Sequence, residues 1–310
     1  MKLNKLIAIA TISLLSGGIS MAQKALNLED IVAGNIIQTK GIGSMTWLKD
    51  GERYSRLENN KQTGGTDIVA YRAKDNSREV IIPSSLLTDK STGRPIPVRS
   101  VSWSADNEKV LIYNNTRRVW RYDTRGDYWV LNLKDGALRQ LGKGMPESSM
   151  MFAKFSPDGT RVAYVSNNNI YVEDIDSGKI TQLTKDGSDT IVNGTFDWVY
   201  EEEFSCRDGF RWSPDGKHIA YWQSDTKGTG VFDIINNVDS IYAKVIHFPY
   251  PKAGTTNSAV KSRLRFLYRR EHHLDRHTRR SPEQLPAPYG IHPRKRRVVH
   301  TATKPPAEYK

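Results

Sequence analysis

Four segments of the chain share one order of apolar and polar positions: "MTWLKDGERYSRL" from Met45, "VSWSADNEKVLIY" from Val101, "AKFSPDGTRVAYV" from Ala153 and "FRWSPDGKHIAYW" from Phe210. Each opens on an aromatic residue, crosses a polar turn and continues as an alternating strand. The aromatics are Trp47, Trp103, Phe155 and Trp212, spaced 56, 52 and 57 residues apart. A period near fifty residues is the mark of a repeat architecture such as propeller blades. A generic sandwich has no reason to keep that period.

Turn chemistry supports the same reading. In Ser156-Pro157-Asp158-Gly159 and Ser213-Pro214-Asp215-Gly216, Pro presets φ, Asp bonds nearby backbone and Gly accepts a positive φ. The "RVAYV" and "HIAYW" runs that follow alternate with period two, as half-buried strands do. A second hairpin then appears: "NIYVEDI", the turn "DSG" and "KITQLT" in one unit, "DYWVLNL", "KDG" and "ALRQL" in another. Two hairpins per unit make a four-stranded blade. The expected fold is all-β, a partial β-propeller of about four to five blades over residues 41–261.

The ends of the chain do not follow this pattern. Residues 1–22 read as an export signal: Lys2 and Lys5 precede the short apolar run Leu6–Leu15, and Ser20 and Ala22 supply small residues for cleavage before Gln23. A periplasmic or secreted protein is expected, with no membrane span after cleavage. In the segment 23–40, "LNLEDIVAG" reads as a short helix capped by Asn27 and ended by Gly34. Beyond Lys261 the alternation stops, and residues 262–310 are expected to form a disordered basic tail, consistent with translation out of frame.

Charge sharpens that division. The chain carries +12 formally, and residues 262–310 hold 13 Lys and Arg against 4 Asp and Glu, or +9 of it. The high pI belongs to the tail, so no nucleic-acid partner is inferred for the body. The hydrophobic share of 37% suits short strands with polar turns. Cys206 is the only cysteine, which excludes an internal disulfide and reads as a packed thiol.

Little of the usual catalytic vocabulary is present. There is no G-x-S-x-G elbow, no Walker sequence and no G-x-G-x-x-G, and no cofactor is expected. His273 and His277 stand four apart in the tail without a third ligand, too little for zinc. His218 and His247 are the body's only histidines and assemble no triad. The strongest polar signal is "DWVYEEEF", Asp197–Phe204, three glutamates between aromatic residues. Such a run is usually a solvated surface, and composition favours that reading. Carboxylates converging in a water-poor site would instead suit an ammonium ion, whose three donors need acceptors.

"DWVYEEEF" followed by an aromatic "WSPDG" repeat resembles the propeller of dipeptidyl peptidase IV and its relatives in the prolyl oligopeptidase family. The likeness includes "LEDI", "VWR" at Val119–Arg121 and "FPYPKAGTTNSAVK" at Phe248–Lys261, where it is expected to end. The resemblance implies exported serine exopeptidases that release X-Pro or X-Ala dipeptides, with an eight-bladed propeller capping an α/β-hydrolase domain. It implies that Glu202 and Glu203 hold the substrate's α-ammonium and that Arg121 contacts a substrate carbonyl. The implied partners are peptide N-termini and a hydrolase domain, which is not expected within these residues; the oligomeric state is open. By that reading the chain holds no catalytic residue and is not expected to hydrolyse peptides alone. The alternative is a non-enzymatic periplasmic propeller that binds peptides or proteins.

Overall fold

A computed structural model describes residues 43–267, together with 27, 28, 32, 41, 289–291 and 298–300. The export signal expected at 1–22, the disorder expected for most of the tail, His273 and His277 lie outside the described residues. Leu28 and Val32 are helical, but the rest of the short helix expected there is also outside them. The chain divides into two units, Met1–Gly43 and Ser44–Lys310, and the second carries the blades.

Blade 1 is an antiparallel meander of β1 (Thr46–Trp47), β2 (Arg53–Asn59), β3 (Thr66–Arg72) and β4 (Arg78–Ile82). A small hairpin, β5 (Thr88–Asp89) with β6 (Arg94–Pro95), lies on the connection to blade 2. Blade 2 comprises β7 (Ser100–Trp103), β8 (Lys109–Val119), β9 (Tyr122–Asn132) and β10 (Leu138–Gln140). Blade 3 comprises β11 (Met151–Phe155), β12 (Arg161–Ser166), β13 (Asn169–Asp174) and β14 (Ile180–Gln182).

Blade 4 departs from the meander. Its first strand is split into β15 (Ile191–Asn193) and β16 (Phe210–Trp212), which pair with the same edge of β17 (His218–Asp225). A helix, α1 (Trp198–Phe204), fills the split. A separate hairpin of β18 (Val231–Asn236) and β19 (Lys244–Pro249) follows β17, and β20 (Ala259–Phe266) returns to its other edge. In the remaining described segment, β21 (Tyr289–Ile291) pairs with β22 (Val298–His300).

The turn repeats atom for atom. Ser156 Oγ accepts the Arg161 N–H at 3.0 Å, and Asp158 Oδ1 accepts from Ser156 Oγ and the Thr160 N–H. Ser213 and Asp215 make the same bonds to His218 and Lys217. So do Ser104 and Asp106 to Lys109 and Glu108, where Asn107 takes the left-handed position at φ 59°. Burial works against the Asp158 charge, but these donors and Arg161 hold its carboxyl down to about 2. The Ser213 hydroxyl and the Lys217 N–H do the same for Asp215.

Blades are stacked face to face, and this corrects the expectation of half-buried strands. Val162, Ala163, Tyr164 and Val165 of β12 are all buried. Val162 and Tyr164 pack on Leu111, Tyr128 and Val130 of blade 2. Ala163 and Val165 pack on Phe210, Ile219 and Tyr221 of blade 4. Period two therefore selects which neighbouring blade a side chain meets, not core against water. Each fully buried aliphatic of this kind stabilises the stack by roughly 1.5–3 kcal/mol. The repeat aromatics Trp103, Phe155 and Trp212 each join the cluster shared with the preceding blade. Trp47, the first in the series, is 61% exposed.

The regular structure also outlasts the expected boundary at Lys261. β20 continues to Phe266, with Ser262 opposite Trp222, Arg263 opposite Tyr221 and Arg265 opposite Ile219.

Candidate functional site

The split strand explains how α1 is presented. Gly209 donates its N–H to the Gly194 carbonyl at 3.0 Å, closing the base of the insertion. A Cβ on Gly209 would lie 3.0 Å from the Gly194 carbonyl carbon and the Thr195 nitrogen, so this approach favours glycine. Asp197 caps the helix, its Oδ1 accepting the Tyr200 N–H at 3.1 Å. Ser205 ends it in the left-handed region at φ 54°. Val199 and Tyr200 pack on Trp222 and Val260, and Phe196 stacks on Tyr200 with ring centroids 5.4 Å apart.

Helical geometry distributes the three glutamates over different environments. Glu201 is 9% exposed. The Glu202 side chain is 7% exposed, and its Oε2 meets Arg121 Nε at 2.5 Å. Glu203 is exposed. The Oε1 atoms of Glu201 and Glu202 are both buried with no hydrogen-bond partner among the described residues. Burial pushes the Glu201 carboxyl up, Arg207 opposes that, and the neighbouring Glu202 adds to it. The solvated-surface reading thus holds for Glu203 and fails for Glu201 and Glu202.

Arg121 reaches this helix because β8 and β9 are long. They form a hairpin closed by the two residues Trp120 and Arg121, with Val119 opposite Tyr122. Trp120 sits at φ 53°, unusual for a bulky residue, and its ring packs 4.7 Å from Phe248. A cavity of about 440 Å³ opens there between Trp120, Trp198, Phe232, Phe248 and Tyr250. Tyr122, the next residue along the hairpin, stacks under the Arg207 guanidinium at 3.6 Å. Blade 2 thus grips the insertion of blade 4 twice, through Arg121–Glu202 and Tyr122–Arg207. The guanidinium of Arg121 is engaged through Nε, and its side chain is 77% exposed.

Two apparent nucleophile sites dissolve on inspection of their geometry. Ser213, Asp215 and His218 converge, with His218 Nδ1 at 3.4 Å from Ser213 Oγ and 3.3 Å from Asp215 Oδ1. Both contacts use the same ring nitrogen, whereas a triad needs opposite ones. Moreover the Ser213 hydroxyl donates to Asp215, as Ser156 does to Asp158 in a turn without histidine. Cys206 borders a second cavity of about 360 Å³ with Phe196, Phe204, Arg207 and Arg211. Burial pushes its thiol up, away from the reactive thiolate. Among the described residues, no group of three or more His, Cys, Asp or Glu could hold a metal, and no helix is long and apolar enough to cross a membrane.

The family model for the dipeptidyl peptidase IV N-terminal region matches residues 104–291, more than half of the chain. The chain belongs to the dipeptidyl peptidase IV family. The match passes beyond Lys261, where the likeness was expected to stop. Dipeptidyl aminopeptidase B of Saccharomyces cerevisiae is 31% identical over 242 residues, 73% of this chain and 28% of that protein. Prolyl endopeptidase FAP of Mus musculus is 28% identical over 241 residues, covering 77% of this chain and 30% of its own. The crystal structure of Porphyromonas gingivalis dipeptidyl peptidase 4 superposes with a TM-score of 0.65 at 27% identity, over 78% of this chain and 33% of that one. The chain spans about a third or less of the length of these relatives.

Within this dipeptidyl peptidase IV propeller segment, the structure brings together Arg121 and Glu202 and leaves Glu203 beside them on the exposed side of α1. Arg207 and the burial of Glu201 were not legible in the sequence. The one local signal was Asp197 three residues before Tyr200, the spacing of a helix cap, which places the glutamate run on a helix.

Proposed function

We propose that this propeller segment is the substrate-recognition part of a serine exopeptidase that removes dipeptides from free peptide N-termini. Glu202 and Glu203 receive the substrate's α-ammonium, and Arg121 receives the carbonyl of the first residue. The observation that carries this reading is the pairing of Arg121 with Glu202, a mostly exposed guanidinium held on a nearly buried carboxylate with exposed Glu203 next to it. An ammonium ion is drawn to the two carboxylates, Glu203 being the exposed one, while Arg121, 77% exposed, keeps N–H groups beyond Nε for a carbonyl acceptor. Glu203 supplies the second carboxylate from the exposed side of the same helix.

The pair acts as a ruler. An amine held at Glu202 and a carbonyl held at Arg121 set how far the chain extends before the bond to be cut. An acetylated N-terminus offers no charge and forgoes the charge-assisted hydrogen bond to the carboxylates, about 1.5–3 kcal/mol. The reading is consistent with a family preference for X-Pro and X-Ala dipeptides, and with an exported protein cleaved before Gln23.

Titration of the purified chain with Ala-Pro and with N-acetyl-Ala-Pro, followed by NMR or calorimetry, tests it. The free-amine peptide is expected to bind more tightly. Equal affinity would remove the amine anchor and favour a general peptide-binding propeller. No chromophore is expected to be released from a Gly-Pro anilide, because the described Ser–His contacts are turn geometry.

A further inference from the structure

The apolar contacts of α1 gather at its first turn, where Trp198 packs on Phe248 and Tyr250. Val199 and Tyr200 press against Trp222 and Val260, and a roll about the helix axis is what these contacts and the polar bonds of the first turn must resist. Side-chain tips lie about 5–6 Å from that axis, so a 20° roll would move the Glu202 carboxylate by about 2 Å. That is enough to break its 2.5 Å contact with Arg121 Nε.

One buried side chain adds a polar tie to these contacts. Asp197 is 9% exposed and divides its two oxygens between two elements. Oδ1 accepts the Tyr200 N–H inside the helix, and Oδ2 accepts the Ser258 hydroxyl. Ser258 is buried immediately before β20, which pairs along the full length of β17. Its hydroxyl also lies 3.4 Å from Thr229 Oγ1, on the turn that leads into β18. A single carboxylate therefore ties the first turn of α1 to the loops at both ends of the β18–β19 hairpin. Burial pushes the Asp197 carboxyl up, and the Ser258 hydroxyl and helix N–H groups hold it back.

The geometry points to Asp197, through Ser258, as a positioning residue that fixes the roll of the glutamate helix so that Glu202 meets Arg121. This rests on the amine-anchor reading for its functional consequence, not for its structural one. Neither residue touches the peptide; both act through Glu202.

Asp197→Ala, Asp197→Asn and Ser258→Ala test it in the full chain. Ala-Pro affinity is expected to fall about tenfold in Asp197→Ala while N-acetyl-Ala-Pro affinity is unchanged. Asn retains an acceptor for the Tyr200 N–H and a partner for Ser258, so Asp197→Asn is expected to recover to within about threefold of the parent. Should Asp197→Ala fail to fold, Ser258→Ala removes only the outer bond and is expected to lose about threefold for the free amine alone. Unchanged selectivity in a folded Asp197→Ala or Ser258→Ala chain overturns the proposal, as does an Asn variant that loses as much as the Ala variant. A crystal structure of the substituted chain separates this from failure of the anchor itself. If the parent shows no amine preference, the anchor falls. If Glu202 still meets Arg121 without the Asp197 bonds, the positioning role falls whatever the peptide does.

Discussion

Glu202→Gln is the substitution that isolates charge from shape at the proposed anchor. The amide keeps the length, volume and one carbonyl acceptor of the carboxylate. It loses the negative charge facing an incoming ammonium and replaces one oxygen with a donor. Two unit charges about 4 Å apart attract by about 4 kcal/mol at an effective dielectric constant near 20. A hydrogen bond to a charged group contributes about 1.5–3 kcal/mol net. Because Arg121 already screens one Glu202 oxygen, the lower range applies, and about 2–3 kcal/mol is expected, a 30- to 150-fold loss for Ala-Pro. Arg121 is mostly exposed, so its side of the pair adds little to fold stability. The melting temperature should therefore stay within a few degrees of the parent. Calorimetric titration of both chains with Ala-Pro and N-acetyl-Ala-Pro reads the effect as a ratio. A folded Glu202→Gln chain that keeps the parent's preference for the free amine would show that Glu202 does not carry the recognition.

Gly209→Ala forces a Cβ against the Gly194–Thr195 backbone and is expected to cost about 1–3 kcal/mol, read as a lower urea midpoint. Ile112→Ala removes a fully buried side chain between blades 1 and 2 and is expected to cost about 2–5 kcal/mol in the same measurement. Asp158 and Asp215 both titrate at about 2 when folded, below their ordinary value of 3.8. Their contribution is fully present above pH 4 and lost as pH falls towards 2, so Asp158→Asn with Asp215→Asn should flatten the acid limb of stability against pH.

What could be read from the sequence was local chemistry. The Ser-x-Asp-Gly turns bond within six residues of themselves, so their spelling suffices, and "SADN" at Ser104 reproduces the same bonds with Asn107 in place of glycine. Burial could not be read in the same way. Val162 and Ala163 point in opposite directions, yet both are buried, because a blade lies on either side. The fate of the glutamates depended on a guanidinium arriving from blade 2 at the tip of two 11-residue strands. A run of like charges cannot show which of its members will meet it. Arg263 looked like the start of a basic tail by composition. In β20 its Nε donates to Gln223 Oε1 at 2.7 Å, a partner 40 positions away that no local pattern reveals.

The helix is spliced into a broken strand, and its two ends return to within one backbone hydrogen bond of each other at Gly194 and Gly209. The blade therefore closes on either side of the insertion, with β15 and β16 on one edge of β17. Between them, Val199 and Tyr200 are packed on Trp222 of β17, whereas Glu203 is exposed and makes no part of that packing. Transplanting that loop to another propeller would carry the carboxylates but not the guanidinium, which is delivered by a different blade. On the proposed reading, recognition is a property of the spacing between two blades rather than of any continuous stretch of chain.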